Sequence, residues 1–317
     1  MPSFEAQLIS AIRKKREAAG LSIRALASVV GISFSTLARI ERGEGAPDNN
    51  SKIRLLAWLG ETGEKAGLKF DNVAFVHFRA AKNVRSWTVH ALLRAADCIR
   101  HDALSSSDET AEGHAPPNGP SADDEAVTLS KEELEKAAER FRKDLGLSPD
   151  QPLDSLKLKV EGVEVYKLAE TKSLEPTLVR KLHMESGDEW SAMSVPLNGS
   201  GDRWAVLLND SHTKERQRVT VLEEYWHILL GHKLTKIARV AEAYGRTYDK
   251  AEEHDAYYLA SATLLPKPAI IKAVNAKQSS AAIAQKFGTS AELVDYRIKR
   301  LGLWRDHVGK KVALASD

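Results

Sequence analysis

From Phe4 to Gly60 apolar residues recur at three- and four-residue intervals in short runs, a pattern that predicts four short helices. Ser22 and Ser33 stand where the N-caps of the second and third helices belong, each after a residue able to pack inward, Leu21 and Ile32. Gly31 and Gly43 close those two helices, where a left-handed backbone costs a glycine nothing extra. Ala25 is small where the helices must approach closely, and Leu26, Val30, Ile32, Leu37 and Ile40 form the expected core. Within residues 70–100, Val84, Trp87, Val89, Leu92, Leu93, Ala96 and Ile99 keep a helical rhythm, suited to packing on the first domain or pairing with a second subunit. Residues 103–126, which include SSSDETAEGHAPPNGPSADDE, have too few apolar side chains to fold alone and read as a flexible linker. Ser130 and Glu133 then form a capping box that opens a helix ending near Gly146. LKLKVEGVEVYKL and WAVLLND read as strands, and helices return from about Lys214. The expected organisation is an all-α domain over 1–68, a helical extension and dimer contact over 69–102, the linker over 103–126, and an α+β domain over 127–317. The fold class is mainly α with a small β-sheet.

Composition narrows the class of protein. With 317 residues, 43% hydrophobic and 28% charged, the chain has enough apolar surface for two folded domains. No apolar run approaches the roughly 18 residues that a membrane span needs. The first twenty residues are amphipathic and lack the apolar stretch of a secretory leader, so a cytoplasmic protein with no membrane partner is expected. Cys98 is the single cysteine, which excludes an internal disulfide and a cysteine-rich zinc site. The net charge of +2 hides an asymmetry. Residues 1–100 carry 16 Lys+Arg against 9 Asp+Glu, or +7, and the rest carry −5. One half therefore suits a polyanion and the other does not.

The basic half also carries a motif. GLSIRALASVVGISFSTLARIERGEGAP resembles the Xre/Cro-type helix-turn-helix family, whose pattern of small, apolar and capping positions it keeps over about sixty residues. The resemblance implies that the helix from Ser33 to Arg42 enters the major groove of double-stranded DNA with its early residues at the base edges. By position, Ser33, Ser35, Thr36 and Arg39 are the candidates for reading an operator, with Ser33 shared between capping and phosphate. Arg24 and Arg42 are the candidates for phosphate contacts. Arg13 and Arg16 are either further phosphate contacts or a solvated helix face. Half-site geometry implies a homodimer.

The acidic half holds VTVLEEYWHILLGH and, some twenty residues on, EEHDAYYLASATLLP. The pair resembles the ImmA/IrrE-type metallopeptidase family, in which a helical H-E-x-x-H string is followed by a third ligand on a later helix. AAIAQKFGTSAELVDYRIKRLGL is similar to that family's closing helices. The resemblance implies a zincin-like α+β domain. In it Glu223 occupies the place of the first histidine, Glu224 that of the general base, and His227 and Glu253 those of the remaining ligands. Positions 223 and 227 share one helical face, so a Glu/His/Glu site for a divalent metal, zinc or manganese, is chemically feasible. Two carboxylates on the ion make it a poorer Lewis acid and favour harder metals, which weakens the expectation of peptidase activity.

Bland readings stand beside these. Glu223 and Glu224 could be solvated carboxylates on an amphipathic helix, and His227 a hydrogen-bonded core histidine. Glu253 could serve only the helix dipole. His232, after Gly231, suits the last carbonyls of its helix. Asp255 faces away from Glu253 and His254 is offset from it by about 100°, so either becomes a ligand only if the register shifts. Trp226, Tyr257 and Tyr258 read as core. SSAAIAQKFGTSAELVDYRIKRLGLW has the look of a second helix-turn-helix but lies in an acidic domain, which favours a structural role. The functional expectation is a DNA-binding transcriptional regulator whose second domain senses or oligomerises. The alternative is an active metal-dependent endopeptidase that cleaves a repressor or itself, which would add a protein substrate as partner.

Overall fold

The computed structural model of the chain describes residues 4–60, 68, 71–80, 84–105, 129–198, 202–232, 235–240, 243–246 and 250–310. The chain divides into two compact units. The first comprises Met1–Val76, Val84–Leu93 and Leu234–Tyr248, and the second His77–Asn83, Arg94–Lys233 and Asp249–Asp317.

In the first unit, α1 (Phe4–Ala18), α2 (Ile23–Val30), α3 (Phe34–Glu41) and α4 (Asn49–Leu59) enclose a core of Leu8, Ile12, Leu26, Val30, Leu37, Ile40, Ile53, Leu56 and Leu59. Ser22, Ser33 and Asp48 cap the last three, each side chain accepting the backbone N–H three residues on. Gly31 closes α2 in the left-handed region, with φ 70°. The space at Gly31 matters too, because a Cβ there would lie 2.6 Å from Arg54 Nη1. After this turn α3 leaves at 118° to α2, within the range of a helix-turn-helix.

Residues 71–80 depart from the helical rhythm expected across 70–100. They form a strand, β1 (Asp71–Ala80), whose continuous apolar run suits either element until a partner strand takes its hydrogen bonds. Asp71–Val76 pairs antiparallel with β5 (Thr235–Val240), which pairs with β6 (Ala243–Arg246). The helix of this region, α5, is Ser86–Ser105, so the segment expected to be a linker begins inside it, and residues 106–126 lie outside those described. Val89, Leu92, Leu93, Ala96 and Ile99 are buried along α5.

The second unit opens with α6 (Lys131–Asp144), set by the capping box of Ser130 and Glu133. Its sheet has β2 (Val163–Lys167) parallel to β4 (Trp204–Leu208), and β4 antiparallel to β3 (Trp190–Pro196). His77–Ala80 of β1 pairs with the free side of β3. β3 and β4 are buried along almost their whole length, as central strands must be when both faces are covered. A short helix, α7 (Pro176–Arg180), precedes β3. Then come α8 (Lys214–Leu229), α9 (Lys250–Leu264), α10 (Lys267–Asn275), α11 (Ser280–Phe287) and α12 (Ala291–Arg300). α8 is buried continuously from Val219 to His227, with α9 on one side and β3 and β4 on another. A helix buried on every side is where a carboxylate is most expensive.

Candidate functional sites

α3 exposes its leading end. Ser33, Phe34, Ser35 and Arg39 are exposed and Thr36 half-buried, whereas Leu37, Ala38 and Ile40 turn inward. The hydroxyls at the tip are already engaged. Ser33 Oγ accepts the Thr36 N–H at 3.1 Å and lies 3.0 Å from Ser35 Oγ and 2.7 Å from Thr36 Oγ1. Arg24, exposed at the start of α2, lies with its guanidinium 5.0 Å from the centre of the Phe34 ring. Arg42 follows the end of α3 and makes a two-pronged ion pair with Glu44, both N···O distances being 2.8 Å. That pairing holds the Glu44 carboxyl below its usual range and spends part of the charge proposed for phosphate. Arg13 is exposed and Arg16 half-buried, and both reach back to Glu41. Arg16 pairs with the buried Glu41, and Arg13 donates to the Glu41 carbonyl. Both clamp α1 to the end of α3.

The second cluster lies on α8 and α9. Glu223, Glu224 and His227 are only 2%, 1% and 4% exposed, which removes the reading of two solvated carboxylates. One donor atom each from Glu223, His227 and Glu253 falls within 4.8 Å of the others. Nε2 of His227 is 3.9 Å from Oε1 of Glu253. Two carboxylates converging on one point in a buried region repel unless a cation or a shared proton lies between them. Two oxygens and one imidazole nitrogen at this separation fit a divalent ion of borderline or harder character.

The neighbours of these donors were not legible in the sequence. Ser194, at the centre of β3 and fully buried, donates its hydroxyl to Oε2 of Glu224. It comes from a strand thirty residues upstream, and only the pairing of β3 brings it under α8. His232 directs its ring, not merely its backbone N–H, back to the helix: the two Nδ1 atoms of His232 and His227 are 3.0 Å apart, with the rings edge to face. One ring nitrogen must donate and the other accept. The backbone N–H of His232 bonds the His227 carbonyl at 3.0 Å, which is the capping role expected of it.

Asp255 is buried but turned away, accepting the Leu129 N–H at 3.3 Å, and His254 contacts Asp255 and Arg300. Neither joins the donor cluster. Trp226 and Tyr258 are core, and Tyr257 is half-buried against Tyr296. α11, Gly288 with φ 63°, the Ser290 cap and α12 repeat the local geometry of α2, Gly31, Ser33 and α3. The resemblance ends at the side chains. Glu292 and Asp295 stand in the first turns of α12, and Arg297 is fully buried against Glu135, so this helix is spent on packing.

With this geometry described, comparison with known families gives two matches. Residues 12–51 match the helix-turn-helix family, and residues 177–299 match the IrrE N-terminal-like domain of the M78 peptidases. Comparison with curated proteins and with solved structures gave no match. The chain joins a helix-turn-helix segment to an IrrE-like domain. Among the described residues no single helix is long and apolar enough to cross a membrane.

Proposed function

We propose that this protein is a sequence-specific transcriptional regulator: the helix-turn-helix reads an operator as a homodimer in the cytoplasm, and the IrrE-like domain senses or oligomerises through a divalent-metal site. The observation that carries the reading is the contrast between the two segments. One keeps a capped, exposed helix in the basic stretch 1–100, whereas the other has a carboxylate, Glu223, where the resemblance implies a histidine. Arg39, Ser35 and Thr36 would meet base edges, and Ser33, Arg24 and Arg42 phosphates. Binding to the promoter of its own gene should be sequence-selective and fall steeply with salt. Arg39→Ala should weaken it about tenfold at the selected site, with a smaller loss on unrelated duplex. An electrophoretic shift with no sequence preference, or none at low salt, would remove this function.

Glu223, His227 and Glu253 would hold the metal. When bound, such an ion polarises a carbonyl oxygen as a Lewis acid, and two carboxylate donors blunt that effect. Glu224 would take up a proton at its carboxylate, with the Ser194 hydroxyl orienting it. His227 must keep the Nε2 lone pair for the ion, so its Nδ1 carries the hydrogen and donates to His232. His232→Ala is therefore expected to weaken zinc or manganese binding about tenfold, the scale on which such an orienting partner acts, as read by calorimetric titration. Unchanged affinity would show that His232 does not orient the ligand.

The convergence of Glu223, His227 and Glu253 beside Glu224 supports a second reading, an active metal-dependent endopeptidase that cleaves a repressor or itself. Glu224→Gln separates the two, because only the peptidase reading needs that carboxylate for its chemistry. A metal-free protein whose phenotype survives Glu224→Gln eliminates the peptidase.

A further inference from the structure

Resting on the DNA-binding reading above, we propose that Phe34 is a specificity-determining residue that reads thymine, by laying its ring against the 5-methyl group in the major groove. Phe34 is the first residue of α3 and is 46% exposed, although it is among the largest apolar side chains of its unit. Single exposed hydrophobics are ordinary; the position of this one is not. Every Cα–Cβ bond in a helix tilts toward the N-terminus, so a long side chain on the first residue projects past the helix end. In a helix-turn-helix that end leads into the groove.

The polar side chains around Phe34 are engaged with one another at the exposed tip of α3. Ser33, Ser35 and Thr36 bond one another and the capped N–H, and their hydroxyls are short. The side chain that reaches farthest from the tip is therefore a hydrocarbon ring. Arg24 covers it at 5.0 Å, an attraction between cation and ring face that holds the phenyl in place and sets a positive charge beside it, on the side suited to a phosphate. The major groove displays one apolar group, the methyl of thymine, and an aromatic ring is a known kind of contact for it. A polar base edge would instead be desolvated against the ring without a partner. The pairing of Phe34 with Arg24 thus selects thymine next to a phosphate contact.

The experiment uses the full chain and a duplex chosen by selection from a random pool. Replacing one particular thymine by deoxyuridine removes only the methyl. Binding should weaken about fourfold, the equivalent of about 0.8 kcal/mol for one buried methylene-sized group. Phe34→Ser should bind thymine and uracil duplexes equally, and Phe34→Leu should keep part of the discrimination. A chain that selects a sequence yet tolerates uracil at every thymine overturns the proposal and leaves the operator reading standing. So does a Phe34→Ser variant with unchanged discrimination but an altered oligomeric state, which would assign the ring to a second copy of the chain. Failure to select any sequence would sink the DNA-binding reading itself.

Discussion

Arg297→Met is expected to destabilise the second unit by about 3–5 kcal/mol, the scale of breaking a buried ion pair from one side. The Arg297 side chain is fully buried. Its two terminal nitrogens donate to the two oxygens of Glu135 at 2.6 and 2.7 Å, and Nε donates to the Leu265 carbonyl at 2.9 Å. The Tyr258 hydroxyl donates to the same carboxylate at 2.5 Å. One side chain thus ties α12 to α6 and to the end of α9, the helix that carries Glu253. Removing it leaves the half-buried Glu135 charge without its cation, with only the Tyr258 hydroxyl still donating to it. Removing both charges, as in Glu135→Leu with Arg297→Met, should recover most of the loss, because apolar replacements of similar volume avoid the desolvation cost. Denaturant unfolding of the three variants, with equal slopes, measures this. A single-variant loss below about 1 kcal/mol would contradict the buried-pair account.

The same pair sets a pH dependence. Burial pushes the Glu135 carboxyl up, but the hydrogen bonds and charge of Arg297 outweigh it and leave the group below the ordinary carboxylate range. A depressed acid contributes stability that is complete above its unfolded value and is lost as pH falls through the depressed one. The penalty of Arg297→Met should therefore be greatest near neutrality and shrink as the solution becomes acidic enough to protonate Glu135 in the variant.

Glu41→Ala is expected to cost the first unit about 3 kcal/mol, for a related reason. Glu41 is the last residue of α3 and only 4% exposed. Arg16 reaches it with Nε at 2.6 Å and Nη2 at 2.9 Å, and bonds the Leu21 carbonyl with Nη1 at 3.0 Å. One guanidinium thereby joins α1, the turn before α2 and the end of α3. The contact with Glu41 raises the Arg16 pKa further above its ordinary value, so the arginine keeps its charge across the working range and would be left with only the exposed Glu17 carboxylate, 3.4 Å away. Amide hydrogen exchange gives the local readout: protection along α3 should fall while that of α8 and α9 stays. If α3 reads an operator as proposed, affinity for it should fall too, because α3 loses the clamp that fixes its pose. Unchanged protection in α3 would refute this.

The two substitutions also show where sequence reasoning reached its limit. Arg16 and Glu41 were each visible, but a helix-face pattern cannot tell a solvated arginine from one that folds back on a carboxylate twenty-five residues away. Arg297 sat inside a segment that looked like a second DNA-reading motif, and its burial distinguishes the two. Phe34 stands three residues before the inward Leu37, a spacing that places both on one helical face, so residue order gave no sign that its ring is 46% exposed.

What the chain alone determined was local. Serine and aspartate caps, left-handed glycines and the three-to-four spacing of apolar residues act within a few positions, so α2, α3, α6 and the face shared by Glu223 and His227 followed directly from residue order. What only the tertiary structure decided were the contacts between distant segments: the strand at 71–80, Ser194 beneath Glu224, and the ring of His232 on His227. Strand pairing and the burial of a charge depend on which surfaces meet. No stretch of sequence encodes that until the hydrophobic cores have formed.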